Sequence, residues 1–264
     1  MSTTALSGAV PGTLDITRTA KVPMSRLVRV ELRKMTDTRA GMWLLITIGA
    51  ITGLATVIFG FVGHDQDRTF GSFLGFAGAP QGFLLPVLGI LLVTQEWGQR
   101  TGMVTFTLEP LRGKVLAAKV YAALILSLAA IVTAFSFATV STLIFGGHDR
   151  WSGFTAIDVL KVTVGQILGT IQGFSFGILL LASAAAIVLY FVLPQVMGIL
   201  AHVVPFLSDK AAWIDFGTAQ SRLFSFGDGN LSGKDWTQLL VTGSAWVLLP
   251  FLIGLWRVLR AEVK

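Results

Sequence analysis

The sequence predicts an all-α, polytopic membrane protein. Six transmembrane helices are expected, with an N-terminal amphipathic interfacial helix and cytoplasmic N- and C-termini. Three observations carry this. Only 13% of the 264 residues are charged and 53% are hydrophobic, with a mean hydropathy of +0.75, whereas a soluble domain carries about a quarter charged residues. The apolar residues fall in six blocks, each near or above the roughly 20 residues needed to cross about 30 Å of hydrocarbon. The Lys and Arg residues gather on one side of those blocks. A strand barrel is disfavoured, because its segments alternate over about 10 residues and these do not.

Residues 1–22 are small, polar and Gly-bearing, and read as a disordered cytoplasmic tail. Residues 23–264 read as one transmembrane domain. No apolar core of the signal-peptide kind precedes residue 40, so the first span is expected to act as the membrane address. After Pro23, residues 24–38 read as a short amphipathic helix. Met24, Leu27, Val28, Leu32 and Met35 share one face, and Arg26, Arg29 and Arg33 share the other, with Lys34 beside them. Such a helix lies in the cytoplasmic interface; a solvated juxtamembrane segment that only sets orientation is the alternative. Glu31 falls on the apolar face and interrupts the pattern.

The spans are expected at about 41–62, 73–94, 115–145, 159–181, 183–206 and 239–259. The fourth and fifth are joined through the small-residue run 182–186. With both ends inside, inner segments hold fourteen of the twenty basic residues and six of the fourteen acidic ones. That excess follows the positive-inside rule. It also accounts for the pI near 10.0 better than a nucleic-acid partner does.

In the fourth span Gly165, Gly169, Gly173 and Gly177 recur every fourth residue, and Gln166 and Thr170 fall on the same face as the last three. Small residues at this spacing let helix backbones approach, and polar side chains bond across the contact. The face reads either as helix packing or as a wall of the translocation pathway. Pro80, Pro86, Pro194, Pro205 and Pro250 lie in or near spans, as kinks that neighbouring helices can satisfy. The outer segment 207–238 mixes Trp213, Phe216, Phe224, Phe226 and Trp236 with four Asp. It reads as short interfacial or re-entrant helices, or as a loop with membrane anchors.

Much chemistry is missing from the sequence. Gly113-Lys114 and Gly233-Lys234 lack the upstream Gly and the following Ser or Thr of a P-loop. His64, His148 and His202 are far apart and suit no metal site. No cysteine is present, which excludes disulfides and thiolate chemistry. No Gly-x-Ser-x-Gly elbow occurs, and no carboxylate sits clearly mid-span as a proton relay would need. No catalytic residue is therefore expected.

One charged island remains, the cytoplasmic break from Gln95 to Lys119. It carries Glu96, Arg100, Thr101, Glu109, Pro110, Arg112 and Lys114 between two apolar runs. It reads as a helix or helix-turn ended near Pro110 that can dock on a soluble surface, or as an ordinary inner loop. The order Glu96, Arg100-Thr101, Pro110, Arg112 and Lys119 resembles the cytoplasmic segment of type-2 ABC exporter permeases, with a departure at Arg100, where Gly is commoner. The basic amphipathic helix, six spans and a long outer segment before the last span extend the resemblance over nearly the whole chain from about Ser25.

The resemblance implies a dimer of permease subunits, a second copy or a paralogue, paired with P-loop ATPase subunits that hold ATP and Mg. Residues 95–114 would be the coupling segment. Glu96, Arg100, Thr101, Glu109, Pro110, Arg112 and Lys114 would dock on the ATPase beside Arg26, Arg29, Arg33 and Lys34. It implies a cell membrane of the bacterial inner type, and export of a hydrophobic drug, antibiotic, lipid or peptide. An ATP-independent carrier, a membrane scaffold for signalling, and a lipid-active membrane enzyme are the competing readings.

Overall fold

The computed structural model describes residues 22–98, 111–208, 210–226 and 231–260. Those residues are helical, without a strand among them. Helix α1 spans Met24–Asp37 and α2 Arg39–Val62. Thr38 is extended between them, and its side chain accepts from Gly41 N at 3.3 Å to start α2. Next come α3 (Phe70–Gly98), α4 (Arg112–Phe145), α5 (Ala156–Leu180) and α6 (Ser183–Val203). Three short helices follow: α7 (Pro205–Ser208), α8 (Ala211–Ile214) and α9 (Phe216–Ser221), with a 3₁₀ turn at Arg222–Phe224. The last span is α10 (Gly233–Gly243), a π turn at Ser244–Leu248 and α11 (Leu249–Arg260).

Six of these runs are long and apolar enough to cross a membrane: α2, α3, α4, α5, α6 and the continuous α10–α11. They extend the sequence-derived spans by two to six residues at six of the twelve ends, and the fifth ends at Val203 rather than 206. The break after the second span is correspondingly narrower than the sequence suggests. Gln95 to Gly98 complete α3, and Arg112 to Lys114 open α4.

Large apolar side chains face outward along the spans, including Trp43, Leu54, Phe61, Val132, Ile144, Ile199 and Trp256. That surface is unsuited to water and suited to hydrocarbon. Helices α3 and α5 form the centre. They cross closely because Gly89 of α3 faces the Thr170 carbonyl, while Gly173 and Gly177 of α5 face the backbone of Pro86 and Ile90. A Cβ at Gly173 would stand 2.1 Å from the Pro86 oxygen. Helices α2 and α4 pack on one side and α11 on another. Within its most apolar window α5 is 67% buried, whereas α6 is only 6% buried and lies at the periphery.

The turns follow local chemistry. Thr155 and Asp158 form a capping box at the start of α5, and Ser232 and Asp235 form another at α10. Between α5 and α6 the chain reverses at Leu181, the non-glycine residue with positive φ (55°) among those described. The π turn sits just before Pro250, whose ring cannot fit a regular helical turn behind it. Six traversals bring α1 and the end of α11 to the same end of the bundle. There Lys114 donates to the Val22 carbonyl (2.6 Å), and Arg112 donates to the Val258 carbonyl (2.9 Å).

Candidate functional site: a buried charge node and a glutamine-lined cavity

The α1 end holds four charged side chains from three helices. Glu31 and Lys34 come from α1, Glu96 from the last turn of α3, and Lys119 from the second turn of α4. Lys34 donates to Glu31 Oε1 at 2.7 Å and to Glu96 Oε1 at 2.5 Å. Lys119 donates to Glu31 Oε2 at 2.6 Å and to the Leu92 carbonyl at 3.0 Å, and lies 3.4 Å from Glu96 Oε1. The charges alternate and sum to zero. That neutrality is what permits burial, since an unmatched charge would be expelled or neutralised. Glu31, Glu96 and Lys119 are each at most 5% exposed. Burial pushes the Lys34 ammonium down, but Glu31 and Glu96 outweigh that and hold it above its ordinary value of 10.5.

This node revises the reading of Glu31. On a helical wheel it interrupts an apolar face; in the fold that face meets α4, where Lys119 waits. The other cations of α1, Arg26, Arg29 and Arg33, are exposed. Glu96 points into the chain and not outward, and Arg112 and Lys114 bond backbone carbonyls of other segments. Arg100, Thr101, Glu109 and Pro110 lie outside the described residues. Sequence reasoning placed Lys119 in the charged break but gave it no site role. Its signal was a lone Lys two turns into an apolar run.

The glycine face of α5 divides by function. Gly173 and Gly177 bring α3 close, as above. Thr170 is buried and bonds its own helix at the Gln166 carbonyl. Gly165 makes room for the Phe224 ring, and Gly169 borders open space. That space is a cavity of about 300 Å³ between α3, α5, α6 and the short outer helices. Its walls carry Gln166, Gln172, Gln195 and Gln220 among the rings of Phe83, Tyr190, Phe191 and Phe224. No Asp, Glu, His, Lys or Arg lines it among the described residues. Gln166 donates to Gln81 Oε1 (3.3 Å), and the buried Gln81 donates to the Ala130 carbonyl (2.9 Å). The cavity wall is thereby wired to α4.

The outer segment closes this end. Phe216 and Leu223 are fully buried against Leu239 and Val247. Gln220 donates to the Gly165 carbonyl (2.7 Å) and Trp246 to the Ile214 carbonyl (2.7 Å). Lys161, paired with Asp158 at 2.8 Å, donates to the Ser225 carbonyl at 2.6 Å. The segment is thus a folded cap of short helices, not an exposed loop. Among the described residues no group of three or more His, Cys, Asp or Glu could hold a metal ion.

Six helices long and apolar enough to cross a membrane define a multi-pass helical membrane protein. No protein-family model matches the chain, and no curated protein sequence matches it significantly.

Proposed function

We propose that this chain is the membrane-spanning subunit of an ATP-driven exporter, working as a pair of permease subunits with separate P-loop ATPase subunits. One observation carries the reading: both flanks of residues 99–110 are tied to other helices. On one flank Glu96 joins the node with α1 and α4; on the other, Arg112 and Lys114 hold α11 and the start of α1. A load applied to 99–110 is therefore shared by α1, α3, α4 and α11 at once. A soluble motor needs such a handle on a bundle whose sequence carries no P-loop. ATP binding would favour one arrangement of the bundle over the other, and the handle transmits that difference.

In this reading the α1 end is cytoplasmic, the membrane is a bacterial inner membrane, and the cavity beside α5 belongs to the pathway. The reading also divides the labour in the charged break. Glu96 positions the handle, while Arg100 and Glu109 are the side chains assigned to the ATPase surface.

The test is co-purification from native membranes, followed by reconstitution with the captured ATPase. A P-loop protein should copurify, and the chain should stimulate its ATP hydrolysis. Arg100→Glu with Glu109→Lys should abolish that stimulation while leaving the melting of the chain unchanged. Full stimulation by this double variant, or the lack of any P-loop partner, would overturn the proposal.

A further inference from the structure

The cavity beside α5 contains a polar group that the fold itself leaves unused. Gln172 is 4% exposed, lines the cavity, and makes no hydrogen bond to any described residue. Its amide is not among the sealed, unpartnered atoms of the interior. It therefore reaches the cavity space, where only a guest or water can satisfy it. A buried amide left without a partner is unfavourable. Two further acceptors arise from prolines. Pro86 and Pro194 stand inside α3 and α6, and each lacks the N–H that would bond the carbonyl four residues earlier. Those carbonyls belong to Gly82 and Tyr190, which both line the cavity.

The cavity is thus rich in neutral acceptors and amides, walled by aromatic rings, and without a counter-charge. A charged guest would lose its hydration with nothing to replace it. A neutral guest bearing hydroxyl or amide N–H groups would satisfy Gln172 and the two carbonyls. At about 300 Å³ the volume is at the lower end for ligand pockets. On the side where α3 meets the peripheral α6, Phe83 stacks on Phe191 with ring centroids 6.3 Å apart and is itself 60% exposed, so these two rings stand between the cavity and the outer apolar surface.

We propose that this cavity binds the headgroup of an uncharged, hydroxyl-bearing amphiphile that enters from the bilayer between α3 and α6. The site needs no ATPase to form, so it stands or falls separately from the exporter reading. If both hold, it names the class of substrate.

The experiment places the full chain in phosphatidylcholine nanodiscs without any ATPase. Retention of 1-monooleoylglycerol is compared with that of 1-oleoyl lysophosphatidate by native mass spectrometry. The neutral lipid should bind at least tenfold more tightly. Gln172→Leu, which keeps the size but removes the amide, and Gly169→Leu, which fills the cavity, should each weaken it by at least tenfold. A diazirine-bearing monoacylglycerol on the unaltered chain should crosslink within 165–172 and 190–195, a readout that requires no variant to fold. Equal binding of the two lipids, binding unchanged by both substitutions, or crosslinking confined to other segments would overturn the proposal.

Discussion

At the scale of single residues, the node shows how a charge becomes structural. Glu31 and Lys119 meet at 2.6 Å with at most 5% exposure each. Removing Lys119 leaves two buried carboxylates, Glu31 and Glu96, sharing the single cation Lys34, and breaking a buried ion pair in this way costs about 3–5 kcal/mol. Lys119→Met alone should therefore lower the stability of the detergent-solubilised chain by roughly that amount. Glu31→Leu combined with Lys119→Met should recover a substantial part of the loss, which denaturant unfolding of single and double variants would measure. Lys34 adds a pH dependence. Its folded pKa lies above the ordinary 10.5, so its contribution is complete below that pH and is lost as pH rises through the raised value. Melting temperature followed above pH 10 should fall more steeply for the native chain than for Lys34→Gln. Parallel slopes would remove Lys34, with its partners Glu31 and Glu96, from the alkaline transition.

At the scale of elements, the glycines of α5 look alike in sequence and differ in place. A Cβ at Gly173 would meet the Pro86 backbone oxygen at 2.1 Å, whereas one at Gly169 would meet nothing nearer than the Gln220 amide at 3.5 Å. Backbone cannot swing aside as a side chain does. Gly173→Ala should therefore force α3 and α5 apart at a cost of about 1–3 kcal/mol. Gly169→Ala should be close to neutral. Thermal melting of the two variants side by side checks this, and equal losses would mean that the α3–α5 crossing does not depend on the Gly173 contact. The same comparison explains why the four-residue repeat was legible as a packing signal but not as a division of labour. Spacing reports the shared face of a helix, not what stands opposite each position along it.

At the scale of the whole molecule, an even number of traversals puts α1 and the end of α11 together, and the proposed topology, which rests on the basic excess, places that end inward. The absence of native cysteine makes this testable without background. Cysteine placed at exposed Arg29 should react with a membrane-impermeant maleimide only after the membrane is opened. Cysteine at exposed Arg222 should react in intact cells. The reverse pattern would invert the topology and the proposed side of ATPase docking. The charge node, the glycine crossing and the cap of short helices are joined in one line. The node ties α1, α3 and α4 together, α3 packs closely on α5, and the cap is bonded to α5 through Gln220 and Lys161.

Composition and block length by themselves determined that this chain is helical and polytopic, and the number of spans followed from counting apolar runs against the thickness of hydrocarbon. These are one-dimensional properties, and a bilayer reads them segment by segment. Which charges look outward was not of that kind. Glu96 has the sequence context of a docking residue, and Glu31 that of a flaw in an amphipathic face. Only the meeting of α1, α3 and α4 pairs them with Lys34 and Lys119, from positions as far as 88 residues apart in the chain. Gln172 is equally mute in sequence, one of two glutamines in an apolar helix. It acquires meaning when α3, α6 and the outer cap enclose the space beside it. A buried polar group is defined by its partners, and partners are set by tertiary contact.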